Sequence, residues 1–254
     1  LLIIKKFGKI MKNVIFYIYG VLENMNDAKY NRVTIVCGHY GSGKTTFSIN
    51  YSIYIRNFTD KDIYIADLDV VNPYFRSREH SLYLKDKDIK VIGSYLPQSG
   101  SDIPAVSAEV YSIFSRKDII GIVDMGGNSA GSLSFATFHN NVDINETDVF
   151  FVFNANRKEN SDFESALGHL IDIEAALGLK ITAIVNNTHL MDYTTLDDIK
   201  KGEIIANKLS KEKNIPIKFT CIDSKFYSKN TEIHSQYELF LIDYDIKKTM
   251  GNII

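Results

Sequence analysis

Tryptophan is missing from this chain, and cysteine occurs only twice in 254 residues. The pair Cys37 and Cys221 can form neither a disulfide framework nor a metal quartet, and no C-x-x-C exists to hold an iron–sulfur cluster. A reducing, cytoplasmic setting is therefore expected. There is no basic excess: 29 Lys and Arg stand against 31 Asp and Glu, a net charge of −2, which argues against a nucleic-acid surface. No apolar run approaches the ~20 residues of a membrane-spanning helix, Val149–Phe153 being among the longest, so no integral membrane segment is expected. The six histidines show no H-x-x-x-H or H-E-x-x-H spacing. No Gly/Ser linker divides the chain and no internal repeat is evident.

What is present is a 45% hydrophobic chain, enough for a substantial core, in which short apolar runs alternate with helical patterns. Strands are expected at Arg32–Cys37, Asp62–Ala66, Ile89–Ile92, Ile119–Val123, Val149–Phe153, Ile181–Val185 and Ile217–Cys221. Helices are expected at Lys44–Arg56, Ile103–Phe114, Phe163–Leu177 (stopped by Gly178), Ile199–Leu209 and Ser235–Met250. Continuous apolar strands alternating with helices predict an α/β fold, a doubly wound and mainly parallel sheet covered on both faces. Residues 1–30, basic and apolar at first but without a small-residue cleavage site after Val14–Val21, read as an N-terminal extension, and 31–254 as one domain.

The first strand runs into Gly38-His39-Tyr40-Gly41-Ser42-Gly43-Lys44-Thr45, which matches G-x-x-x-x-G-K-[ST] with a strand before it and a helix after it. Glycines let backbone N–H groups converge on phosphate oxygens at the positive end of the following helix. Gly38, Gly41, Ser42, Gly43, Lys44, Thr45 and Thr46 are thus the expected nucleotide-binding set. Lys44 is expected to reach the β- and γ-phosphates, and the Thr45 hydroxyl to ligate Mg²⁺.

Such a loop needs acids. Asp124 ends the apolar run IIGIVD, where a carboxylate is otherwise hard to place, and is a metal-site candidate. Gly126 and Gly127 follow it, and their N–H groups are expected near a γ-phosphate. Asp67 and Asp69 sit two apart at the end of the second strand, one suited to the Mg²⁺ hydration shell and the other to orienting an attacking water. Asn72, Tyr74, Arg76 and Arg78 follow in a segment suited to a switch. Asn154, Asn156 and Arg157 end another apolar strand, and Pro97–Asp102 forms a connector.

The combination of this loop, DLD followed by VNPYFRSRE, and DMGG resembles the MinD/ParA/ArsA class of ATPases, and within it the CobQ/CobB/MinD/ParA nucleotide-binding domain family, over roughly Arg32–Ser228. The resemblance implies the P-loop nucleoside triphosphate hydrolase fold, ATP and Mg²⁺. It also implies that Asp69 is the acid near the attacking water, Asp124 the strand-end magnesium acid, and Asn186 the adenine contact, with Asn187 beside it. One departure matters. The MinD and ParA branch has a second lysine just after the first loop glycine, reaching across a dimer; here the position is His39, so a homodimer does not follow from the resemblance. The absence of N-K-x-D tilts the base toward adenine. The function expected is a Mg-dependent ATP hydrolase acting as a regulatory or assembly switch on a protein partner. The alternatives are an ATP-dependent enzyme acting on a small molecule, like the dethiobiotin synthase and cobyrinate-amidating relatives, or a module with little turnover.

Overall fold

The computed structural model describes residues 30–68, 81–93, 108–126, 135, 137–230 and 233–244. Eight strands form one sheet in the order β3-β2-β4-β1-β5-β6-β7-β8. They are β1 Val33–Cys37, β2 Asp62–Leu68, β3 Ile89–Gly93, β4 Ile119–Met125, β5 Thr147–Phe153, β6 Ala183–Asn186, β7 Ile217–Asp223 and β8 Leu239–Ile242. Each pairing between them is parallel. Among the described residues the α-helices that accompany them are α1 Lys44–Arg56, α2 Ser81–Lys85, α3 Ala108–Ser115, α4 Phe163–Leu177, α5 Leu196–Lys213 and α6 Ser224–Lys229.

Strand alternation sends neighbouring side chains into two separate cores. Ile35, Phe151 and Phe153 face one, with Val110, Leu170 and Leu209 from α3, α4 and α5. Val36, Phe150 and Val152 face the other, with Phe47, Tyr51 and Ile55 from α1. Those three α1 residues recur every four positions and are 0%, 1% and 0% exposed. Burial on that scale contributes about 2 kcal/mol per side chain, and it fixes where the start of α1 sits. The sheet is therefore doubly wound. The chain leaves β1 toward β2 and later crosses back to β5, so the strand order reverses beside β1; ligand crevices form at such points, outside the carboxyl ends of the strands.

Local signals set the ends of α4 and α5. Asp162 caps α4 by accepting from the Ser165 N–H (2.8 Å), and Gly178 closes it at φ 66°. Thr195 and Asp198 form a reciprocal capping box on α5, which ends at left-handed Asn214. The expected closing helix over Ser235–Met250 is corrected: Leu239–Ile242 is a strand paired with β7, and its burial alternates with period two, as a strand requires. Residues 245–250 of that expectation, 103–107 of the expected helix Ile103–Phe114, and the extension up to residue 29 lie outside the described residues. Among the described residues no helix is long and apolar enough to cross a membrane.

Candidate functional site

β1 delivers the chain at Cys37 into the glycine loop. Gly38 has φ 148°, and a Cβ there would lie 2.0 Å from the carbonyl oxygen of Val152, so only glycine fits between the loop and β5. Gly43 adopts the left-handed conformation at φ 85° as N-cap of α1. Among the described residues no side chain caps this helix, and its first turn carries no acid, so its leading N–H groups keep their capacity for an anion. Ser42 is fully buried, and its hydroxyl has no hydrogen-bond partner among the described residues. Lys44 is 3% exposed and folds back along the loop, its Nζ donating to the His39 carbonyl at 3.1 Å. Thr46 is half-buried, and its carbonyl accepts from Asn50 Nδ2 at 2.8 Å.

The acids arrive from the neighbouring strands. Val36 pairs with Asp124, and Asp124 with Asp67, at one level of the sheet. Both carboxylates are buried, at 1% and 9% exposure. The Thr45 hydroxyl donates to Asp124 Oδ2 at 2.6 Å. Sequence separation of 79 residues is thus closed to one hydrogen bond because β4 lies directly beside β1. A glycine cradle with an open helix N-terminus, a buried lysine, and a hydroxyl against a strand-end carboxylate form a donor set that fits a phosphate chain with Mg²⁺, an ion that takes one or two carboxylates and keeps several waters. Asp69, Gly127, Asn72, Tyr74, Arg76, Arg78 and the connector at 97–102 lie outside the described residues.

The two asparagines at the end of β6 differ in what they engage. Asn186, the base contact that the resemblance implies, is 1% exposed. Oδ1 accepts from the Thr188 hydroxyl at 2.7 Å, and Nδ2 lies 3.4 Å from the Ile199 carbonyl of α5. Asn187 is the one that reaches the loop. Its Nδ2 donates to the Ser42 carbonyl at 2.8 Å and its Oδ1 accepts from the Tyr244 hydroxyl at 2.6 Å. A carbonyl can only accept, so the nitrogen end must face Ser42 and the tyrosine must be the donor. Successive strand residues point to opposite faces, and Phe153 pairing with Asn186 sets which of the two turns toward the loop. Behind them, His189 stacks on Tyr244 with centroids 4.2 Å apart. Tyr244 had no signal in the sequence, since it reaches the loop only through the β8 pairing that the helix expectation missed. Asp223 caps α6 by accepting from the Lys225 and Phe226 N–H groups (2.7 and 2.9 Å).

The remaining candidates resolve simply. Cys37 is a core residue: its Sγ donates to the Phe150 carbonyl at 3.3 Å, and burial pushes its thiol up to about 12. Cys221 is likewise buried, which raises its thiol pKa. His39, in the second loop position, stacks on His169 with centroids 4.4 Å apart. Burial first, and the neighbouring His39 second, lower the His169 pKa. Arg157 lies on the loop, its Nε donating to the Gly41 carbonyl at 3.0 Å.

Neither the protein-family models nor the curated proteins yielded a match. Solved structures did. FtsY from Thermotoga maritima is similar at TM-score 0.52 and 21% identity, over 77% of this chain and 65% of that one. Chloroplast FtsY from Physcomitrella patens is similar at TM-score 0.51 and 16% identity, over 76% and 59%. A nucleotide-binding protein in complex with ADP from Archaeoglobus fulgidus superposes at TM-score 0.46 and 14% identity, over 81% and 88%. The chain spans 59 to 65% of the two FtsY structures. At these identities the likeness establishes the fold: a P-loop α/β domain built on a parallel sheet.

Proposed function

We propose that the chain binds and hydrolyses ATP with Mg²⁺, in the manner of the MinD/ParA/CobQ-like ATPases it resembles. The observation that carries this reading is the Thr45–Asp124 hydrogen bond of 2.6 Å, beside the glycine loop that opens α1. The loop N–H groups and Lys44 hold the phosphate chain and neutralise its charge. Thr45, Asp124 and Asp67 would hold the magnesium, which would supply positive charge to the phosphate chain. Asp69 orients the attacking water, and the N–H of Gly127 meets the terminal phosphate. Positioning and charge are most of what such a reaction asks of a protein. Hydrolysis then resets a regulatory or assembly switch, with a protein partner as its target.

Adenine is favoured over guanine by the β6 end. Asn187 is the asparagine tied to the P-loop, and the residue three places on, where N-K-x-D carries its carboxylate, is Leu190. The next acid, Asp192, lies in an exposed turn. Guanine offers N1–H and N2–H donors that want a carboxylate, and Leu190 has none to give. Calorimetric titration of Mg-ATP and Mg-GTP into one preparation tests this: ATP should bind more tightly by at least about fivefold, since a buried donor left unpaired costs about 1–3 kcal/mol. Equal or tighter GTP binding would overturn the adenine assignment. A phosphorylated or ligated small molecule among the turnover products would favour the metabolic-enzyme alternative over the switch.

A further inference from the structure

Two cations are hydrogen-bonded to carbonyls of the glycine loop, Lys44 to His39 and Arg157 to Gly41. The second is not accounted for by the loop motif. A Cβ on Gly41 would come within 3.1 Å of the Arg157 Nε, so the guanidinium rests on the loop backbone itself. Among the described residues this bond engages Nε alone, and no carboxylate pairs with the side chain. Arg157 is exposed, which leaves its terminal nitrogens open to a ligand.

The turn that carries it is braced on every side. Asn154 is 0% exposed; its Nδ2 donates to the His189 carbonyl at 3.1 Å and its Oδ1 accepts from the Asn156 N–H at 2.9 Å. The Ala155 N–H donates to the Thr188 hydroxyl at 3.0 Å, and its carbonyl accepts from Lys201 Nζ at 2.7 Å. Asn156 Nδ2 donates to Asp198 Oδ1 at 2.8 Å, and the Arg157 N–H closes the turn on the Asn154 carbonyl at 3.0 Å. Holding a long side chain costs rotamer entropy; a fixed turn and the Gly41 contact restrict it before any ligand arrives. Meanwhile the second loop position is a histidine whose ring is packed on His169 of α4 and whose Nδ1 lies 3.1 Å from the Tyr40 carbonyl.

We infer that Arg157 is a phosphate-binding cation of this site, supplied within the same chain from the β5–α4 connection, where the loop itself has His39. The inference rests on the nucleotide reading above. A guanidinium stays charged throughout the physiological range and presents paired donors that match phosphate oxygens, so it suits the role better than an imidazole.

The test uses the full chain and three forms of it: wild type, Arg157→Gln and Arg157→Lys, titrated with Mg-ATP in a calorimeter, with urea unfolding of each as a check on folding. Arg157→Gln should weaken Mg-ATP binding about tenfold, the value of a hydrogen bond to a charged group, and Arg157→Lys should recover most of that loss. Unchanged affinity in Arg157→Gln overturns the inference. So does a loss that lysine fails to restore, because it would mean that the side chain only props Gly41. Wild-type protein that binds no nucleotide would instead remove the reading on which the inference stands.

Discussion

His189 sits behind the loop with 8% of its surface exposed, and its Nδ1 accepts from the Met191 N–H at 3.2 Å. Burial first, and the charge of Arg157 second, hold its pKa down from 6.5 to about 4. An unfolded chain takes up this proton near pH 6.5, while the folded chain resists it until about pH 4. In that window the unfolded state binds more protons, so stability falls as the pH drops and is fully present above 6.5. The shift amounts to roughly 3 kcal/mol at most. Urea unfolding at pH 7 and pH 5 should show the wild type losing more stability on acidification than His189→Gln does. Equal losses in the two proteins would take His189 out of the pH dependence.

Between β5 and α4 the chain makes a polar turn that the sequence leaves as a generic strand-end loop, with Asn154 as its hub. The side chain is buried and holds both the Asn156 N–H and the His189 carbonyl, so truncation strands polar groups on two segments at once. Asn154→Ala should cost about 2 kcal/mol or more of unfolding free energy, read as a lower urea midpoint with an unchanged slope. A change below about 0.5 kcal/mol, the range of ordinary surface substitutions, would show that the turn is not braced as described. Elsewhere at this scale the local signals were legible: α4 spans Phe163–Leu177 and stops at Gly178 as expected. Helix α5 extends beyond its expected Ile199–Leu209 because the Thr195–Asp198 box starts it earlier and Asn214 stops it later. β8 was illegible because Leu239–Ile242 carries no strand signal apart from its partner: the pairing with β7 is non-local, while the apolar residues of the segment also suit a helix.

Across the whole molecule, the glycine loop, its flanking strand and helix, and the acid ending β4 could all be read from residue spacing, because each is a local pattern. Which strand lies next to which could not. The adjacency of β4 and β1 closes Thr45 onto Asp124, and the alternation at the end of β6 turns Asn187 rather than Asn186 to the loop. Tyr244 then arrives at the same point from the far end of the chain. These contacts converge on one claim, that the carboxyl edge of the sheet beside β1 holds a magnesium–nucleotide through Lys44. Mg-ATP titrated into the wild type and into Lys44→Ala tests it directly. The account predicts saturable, one-to-one binding to the wild type that the variant, still folded by circular dichroism, loses by about a hundredfold or more, as loss of a buried charge-assisted contact implies. Absence of binding to the wild type, or an unchanged affinity in Lys44→Ala, would contradict it.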